Sequence, residues 1–177
     1  MKIVVNDQVC LSEFRSSDKP ALLQDLNDPD IYHRTLRIPF PYTDASADEW
    51  LTLVAKITEQ QGRPVQFAIR SAADALIGGC GFDGFQVGES HRAEVGYWLA
   101  KPFWGRGIMT AVVQRACRHA FEGFGLVKVT AHVFSHNPAS ARVLEKCGFQ
   151  EEGFLRKHFL KDGRFIDARP FALLKGD

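Results

Sequence analysis

The chain has 177 residues, 45% of them apolar, and its 22 Lys and Arg stand against 21 Asp and Glu for a formal charge of +1. That size and composition suit one domain with a real core, and the even charge balance argues against nucleic acid or a membrane surface as the main partner. Cys10, Cys80, Cys117 and Cys147 lie far apart without a CxxC pair, which argues against a zinc ribbon or a dense disulfide framework and leaves them as reduced core residues. The opening MKIVVNDQVCLSEF meets Asn6, Asp7 and Gln8 too soon for a signal sequence, and no apolar run approaches the roughly 18 residues a membrane helix needs. A cytoplasmic protein is the expectation.

In chain order, VCLSEF (9–14) reads as a short strand, and SSDKPALLQDLND (16–28) offers Ser and Asp caps with Pro20 early in a helix. Ser46 and Glu49 form a capping box for the helix ADEWLTLVAKITEQQ (47–61), whose Trp50, Leu51, Val54 and Ile57 make an apolar stripe and which Gly62 ends. VQFAIR (65–70), LIGGCGF (76–82) and AEVGYWL (93–99) then predict three antiparallel neighbours joined by polar or glycine-containing turns. From Ile108, the residues Met109, Val112, Val113, Ala116, Cys117 and Ala120 recur at helical spacing, with Gln114, Arg115 and Arg118 facing away.

VKVTAHV (127–133) alternates Val127, Val129, Ala131 and Val133 with Lys128, Thr130 and His132, as a half-buried strand should. Strand, helix, strand in this order implies a parallel crossover. NPASARVLEKCGF (137–149) has clear helix punctuation: Asn137 caps, Pro138 opens the first turn, and Gly148 takes the left-handed stop. Beyond it, two strands flank Asp162-Gly163, a hairpin signal. No repeat, linker or low-complexity tract interrupts the chain, so a single domain over 1–177 is expected.

The strand AEVGYWL and the helix from Ile108 are joined by KPFWGRG, which places Gly105, Arg106 and Gly107 where a helix begins. There the first backbone N–H groups lack helical partners and the macrodipole adds positive potential, so main chain can hold a phosphate, with glycines permitting close approach and Arg106 adding charge. A tight turn alone would also account for the glycines. The turn is not a P-loop, since GxxxxGK[ST] is absent, and it is not a dinucleotide fingerprint, since Thr110 occupies the last position of GxGxxG.

The stretches AEVGYWLAKPFWGRGIMTAVV, NPASARVLEKCGF and EGFLRKHFLKDGRFIDARPFALL together resemble the GNAT acetyltransferase superfamily, in the branch similar to ribosomal-protein N-terminal acetyltransferases of the Rim type. The likeness covers nearly the whole length. It implies an α+β fold: a mixed, mostly antiparallel, twisted sheet flanked by helices, with central strands splayed to admit acetyl-CoA. It also implies an acetyl-CoA-dependent N-acetyltransferase that acts on a primary amine, a protein N-terminal α-amine first and a small amine such as an amino acid, polyamine or drug as the alternative. A module that binds CoA without turnover is a further alternative. The implied partners are acetyl-CoA and the amine acceptor, without nucleic acid, membrane or metal, and with homo-oligomerisation left open.

The resemblance places the family's [QR]xxGx[GA] frame on Trp104, Gly105, Arg106, Gly107, Ile108 and Met109. Gly107 matches the central glycine, whereas Trp104 replaces Gln or Arg and Met109 replaces a small residue. These six residues and Thr110 are the implied pyrophosphate contacts, and the strand with Trp98 and Leu99 is implied to pair through its main chain with the pantetheine arm. Asn137 matches the asparagine near the thioester, a role that its helix-capping chemistry does not exclude.

Many relatives carry a tyrosine where this chain has Leu144, so the usual acid for the departing thiolate is missing. Ser140 stands where the Rim-like branch can use a serine for that task, although an ordinary first-turn serine would look the same. Attack on the thioester needs a neutral amine, and Glu94, on the strand leading to the glycine turn, is the carboxylate placed to remove the proton; a solvated glutamate on a strand is the plain alternative. His132 and His136 suggest a metal but lack an evident carboxylate or cysteine partner, and no metal is expected. Tyr32, Phe40, Tyr42 and Trp50 border an acceptor pocket or belong to the core.

Overall fold

The computed structural model describes residues 1–176; Asp177, the last residue of the expected domain, lies outside them. The chain forms two compact units, Met1–Gly81 with Tyr97–Val112, and Phe82–Gly96 with the chain from Val113 onward.

In the first unit β1 (Lys2–Val4) and β2 (Val9–Ser12) form an antiparallel hairpin with Ile3 opposite Leu11. Its turn is held by Asn6, whose Oδ1 accepts the N–H groups of Gln8 and Val9 at 2.9 and 3.0 Å. β2 pairs with β3 (Gln66–Ser71) and β3 with β4 (Leu76–Asp83), both antiparallel. The end of β5 (Arg92–Leu99) lies beside β4, where the Ala100 N–H donates to the Ile77 carbonyl at 2.8 Å. β3 and β4 are the antiparallel neighbours expected, and β5 follows β4 in the order of the sheet. β4 is rich in glycine because β5 comes so close: a Cβ on Gly78 would sit 2.6 Å from the Trp98 carbonyl oxygen, and one on Gly79 2.5 Å from the Trp98 indole nitrogen.

Three helices supply the rest of this unit: α1 (Lys19–Asp25) with Pro20 in its first turn, α2 (Pro29–Arg34), and α3 (Asp44–Gln61). Leu22, Leu26, Ile31, Tyr42, Ala47, Ala68 and Leu76 form one buried cluster, against which Phe14, Trp50, Trp98 and Trp104 pack. Each fully buried leucine or isoleucine contributes about 1.5–3 kcal/mol, so this cluster is what holds the short α1 and α2 in place. The α3 cap differs from the expected one. Thr43 is the N-cap and exchanges bonds with Ser46, so the helix begins three residues earlier than a Ser46–Glu49 box would start it. Both boxes use the same chemistry, and the earlier one lets Ala47 reach the core. Gly62 ends α3 in the left-handed region, as expected.

In the second unit the first half of β5 pairs in parallel with β6 (Lys128–Phe134), and β6 pairs in antiparallel with β9 (Arg164–Leu174) from Lys128↔Leu174 to Phe134↔Ala168. α4 (Ile108–Gly123) is the crossover helix, and its Ile108, Met109, Val112, Val113, Ala116, Cys117 and Ala120 are all buried. β6 departs from the expected alternation at one end, where Val127 precedes the strand and is exposed while Val129, Ala131 and Val133 are buried. α5 (Pro138–Lys146) begins and ends where its punctuation places it, with Asn137 as N-cap and Gly148 at φ +89°.

On its other edge β9 carries β7 (Gln150–Glu151) and β8 (Leu155–Lys161). Pro170, which has no N–H to give, falls where β7 has ended and β8 has not begun. The β8–β9 turn has Asp162 and Gly163 both at positive φ, as a two-residue hairpin of this twist requires.

Candidate functional site

The first unit holds Trp98, Leu99 and Trp104 to Thr110. Gly105 and Gly107 stand at φ +73° and +75°, and a Cβ at either would meet nothing within 4 Å. Packing therefore does not demand glycine here; the left-handed backbone does, and the space in front of the turn is open. α4 begins directly behind it, with the Ala111 N–H donating to the Gly107 carbonyl at 3.2 Å. Ile108 and Met109 turn their side chains into the core, so anything they offer an anion comes from their backbone N–H groups. The buried side chain also explains why a large residue is tolerated at 109. Arg106 is exposed, its guanidinium 5.6 Å from the centre of the Phe103 ring.

Trp104, which stands where the family pattern has Gln or Arg, has a structural task. Its indole N–H donates to the Leu99 carbonyl at 2.6 Å, its ring packs on the buried cluster, and the Arg34 guanidinium lies 4.9 Å above it. Lys101 is anchored at the start of the same loop by Asp30 and Asp28 of the α2 segment. The segment leading into the glycine turn is thus pinned by an aromatic ring and by an ion pair. Among the expected aromatics, Tyr42 belongs to the core and its phenol is pushed up to about 12 by burial, Trp50 packs against the same cluster, and Tyr32 and the exposed Phe40 lie 5.4 Å apart.

The second unit holds Glu94, Asn137 and Ser140. The β5–β6 register runs Arg92↔Lys128, Ala93↔Val129, Glu94↔Thr130. In a parallel pair residues opposite one another share a face, so His132, two residues past Thr130, lies on the face of Glu94. The two meet, His132 Nδ1 lying 3.0 Å from Glu94 Oε1. This corrects the expectation that His132 lacks a carboxylate partner. The bond to Glu94 raises the imidazole above its ordinary value, against partial burial that lowers it. His158 of β8 stacks on His132 at 5.2 Å with 17° between the rings, and Phe159 meets both edge-on. Among the described residues, no group of three or more His, Cys, Asp or Glu side chains is placed to hold a metal ion.

Asn137 is buried and its Oδ1 accepts the Ser140 N–H at 3.3 Å, so its capping role is observed directly. The same bond sets Ser140, half-buried, in the first turn of α5. Leu144, at the position of the absent tyrosine, is fully buried. Cys10, Cys80 and Cys117 are buried, and burial pushes the Cys147 thiol up to about 11, which leaves little thiolate for covalent chemistry at neutral pH. No described helix is long and apolar enough to cross a membrane.

The acetyltransferase (GNAT) domain family matches residues 8–150. The chain belongs to the GNAT acetyltransferase family. It is 31% identical over 176 residues to the uncharacterized N-acetyltransferase p20 of Bacillus licheniformis, covering 99% of this chain and 97% of that one. It is 26% identical over 121 residues to the [ribosomal protein uS5]-alanine N-acetyltransferase of Escherichia coli, covering 67% and 62%. The spermidine N-acetyltransferase of Vibrio cholerae, solved with CoA and spermine, superposes with a TM-score of 0.80 at 27% identity over 96% of each chain. This GNAT protein is accordingly an acetyl-CoA-dependent N-acetyltransferase, with the mixed, mostly antiparallel α+β fold that the resemblance implied.

Proposed function

We propose that this acetyltransferase moves the acetyl group of acetyl-CoA directly to a protein N-terminal α-amine of the ribosomal-protein type. The observation that carries the cosubstrate half of this reading is the turn ahead of α4, where two left-handed glycines face open space and the first N–H groups of a 16-residue helix follow. These donors and Arg106 hold the pyrophosphate. The acceptor half is supported by the uS5-alanine acetyltransferase relative. A small polyamine is the second reading, supported by the spermidine acetyltransferase that resembles this chain along nearly all its length.

In the proposed reaction the Glu94 carboxylate takes one proton from the acceptor ammonium. The neutral amine attacks the acetyl carbonyl, backbone donors stabilise the oxyanion, and the intermediate collapses with cleavage of the C–S bond; the attacking nitrogen gives up its second proton, which the Ser140 hydroxyl relays by giving its own proton to the departing thiolate and taking up this one, so that CoA leaves as thiol. No acyl-enzyme forms. Asn137 fixes the first turn of α5 and hence the Ser140 backbone.

The test is an acceptor screen with N-terminal peptides of ribosomal proteins and with spermidine, reading CoA thiol release and product mass, and with Glu94→Gln and Ser140→Ala as controls. A peptide acetylated at its α-amine with kcat/KM well above that for spermidine is the expected result, and the reverse order selects the polyamine. Full turnover by both variants at saturating substrate would remove the roles given to Glu94 and Ser140.

A further inference from the structure

The sequence pattern treats Glu94 as an isolated carboxylate, and the fold does not leave it so. Its side chain is 44% exposed and one of its oxygens is engaged by a more buried histidine, 24% exposed, from the adjacent strand. The histidine ring is itself held on two sides, by the stacked His158 and by the edge of Phe159. His158 lies in the stretch of β8 where the register with β9 is irregular, next to Lys157 at φ +50°, whose N–H donates to Asp167 Oδ1 at 2.6 Å. A strained residue and an interrupted register are thus spent on a segment whose ring clamps the partner of Glu94.

We infer that His132 is a positioning residue for Glu94: its Nδ1–H holds Oε1 and so fixes the orientation of the carboxylate that meets the acceptor amine. This deepens, and rests on, the reading of Glu94 as the base. In the step concerned the ammonium N–H bond breaks, its electron pair stays on nitrogen, and an O–H bond forms at the Glu94 carboxylate. A carboxylate free to rotate would offer two equivalent oxygens over a wide arc, and holding one of them narrows that arc at little cost when the proton moves. The inference also ties turnover to the charge of His132. When the ring is an imidazolium its hydrogen bond to Glu94 is charge-assisted and the carboxylate is a weaker base; when the ring is neutral the same bond orients the carboxylate without drawing on its basicity.

β8 contributes His158, stacked on the His132 ring, and also carries Arg156, Lys157 and Lys161. β9 places Pro170 opposite His132. On β6 itself Thr130 and Phe134 flank it on the same face, with His136 against Phe134 and Lys128 bound to Glu152 at 2.8 Å. On β5 the neighbouring Arg92 donates to Gln86.

The experiment compares the wild-type protein with His132→Leu, His132→Asn and Glu94→Gln in the CoA-release assay from pH 6 to 9, after calorimetry has established acetyl-CoA binding by each. His132→Leu should lower kcat about tenfold or more with the KM for acetyl-CoA unchanged. His132→Asn, which carries an amide N–H at the place of Nδ1, should recover most of kcat and lose the limb of the pH profile that rises through the imidazole titration. An impaired Glu94→Gln beside a His132→Leu with wild-type kcat and an unaltered pH profile overturns this inference and leaves Glu94 as the base. Undiminished turnover in Glu94→Gln overturns both.

Discussion

Arg70 grips the carboxylate of Asp18 with both terminal nitrogens, Nη1 to Oδ1 and Nη2 to Oδ2 at 2.8 Å each, and the two residues are 1% and 4% exposed. The guanidinium is used fully: Nε donates to Ser12 Oγ at 2.6 Å and Nη2 also to the Glu13 carbonyl at 3.1 Å. β3 is thereby tied to the end of β2 and to the short 3-10 turn that leads into α1. Arg70→Met leaves the buried Asp18 charge without its cation, only the Arg15 N–H still donating to it at 2.8 Å, and urea unfolding should find a loss of about 3–5 kcal/mol. Arg70→Lys keeps the charge but not the fork and should still lose stability. A change below 1 kcal/mol in the methionine variant would contradict the role assigned to this pair.

Gly107→Ala separates backbone strain from ligand contact. The left-handed region costs an L-residue roughly 1–2 kcal/mol, and no protein atom lies within 4 Å of the new methyl. Gly84→Ala is the matched control, since Gly84 stands at φ +61° with equally open surroundings. Both variants should lose similar stability in thermal unfolding, whereas Gly107→Ala alone should weaken acetyl-CoA binding, by tenfold or more in calorimetry, because its methyl occupies the approach to the helix N–H groups.

Trp104→Phe removes the donor to the Leu99 carbonyl and leaves a ring beneath Arg34. One neutral hydrogen bond is worth about 1 kcal/mol, so stability should fall by that order. If Trp104 acts by holding the loop, the KM for acetyl-CoA should rise while kcat at saturation stays near the wild-type value. A fall in kcat at unchanged KM would place the indole at the chemistry instead.

The Glu94–His132 bond makes stability depend on pH with a definite sign. The folded imidazole titrates above its ordinary value of 6.5, so the folded state binds the proton more tightly than the unfolded chain. The resulting stabilisation is fully present below pH 6.5 and is lost as pH rises through the raised value. Thermal unfolding of the wild type and His132→Asn should therefore differ most below pH 6.5 and converge at higher pH. Partial exposure of both groups keeps the difference small, and a gap that widened with pH would contradict the assignment.

What could be read along the chain was what neighbouring residues decide among themselves. α5 is bounded by Asn137, Pro138 and Gly148, the β8–β9 turn by Asp162 and Gly163, and the buried side of α4 by its 3-4 spacing; each signal acts within a few residues. The glycine turn was legible for the same reason, because left-handed backbone has a residue-type signature. Tertiary contacts decided the rest. β1, α2 and β7, at three, six and two residues, are too short to form on propensity and exist because a neighbouring strand or the buried cluster receives them. Thr43 prevailed over Ser46 as a cap because both can do the chemistry and only packing chooses.

The pairs that matter most to this acetyltransferase are further apart still. Arg70 and Asp18 are 52 residues apart, and His132 and Glu94 are 38 apart. Alternation along VKVTAHV put His132 opposite the core face, but only the parallel register of β5 and β6 placed a carboxylate within 3.0 Å of it. A shift of one residue in that register would have turned the two side chains to opposite faces, and no local pattern in either strand sets that register.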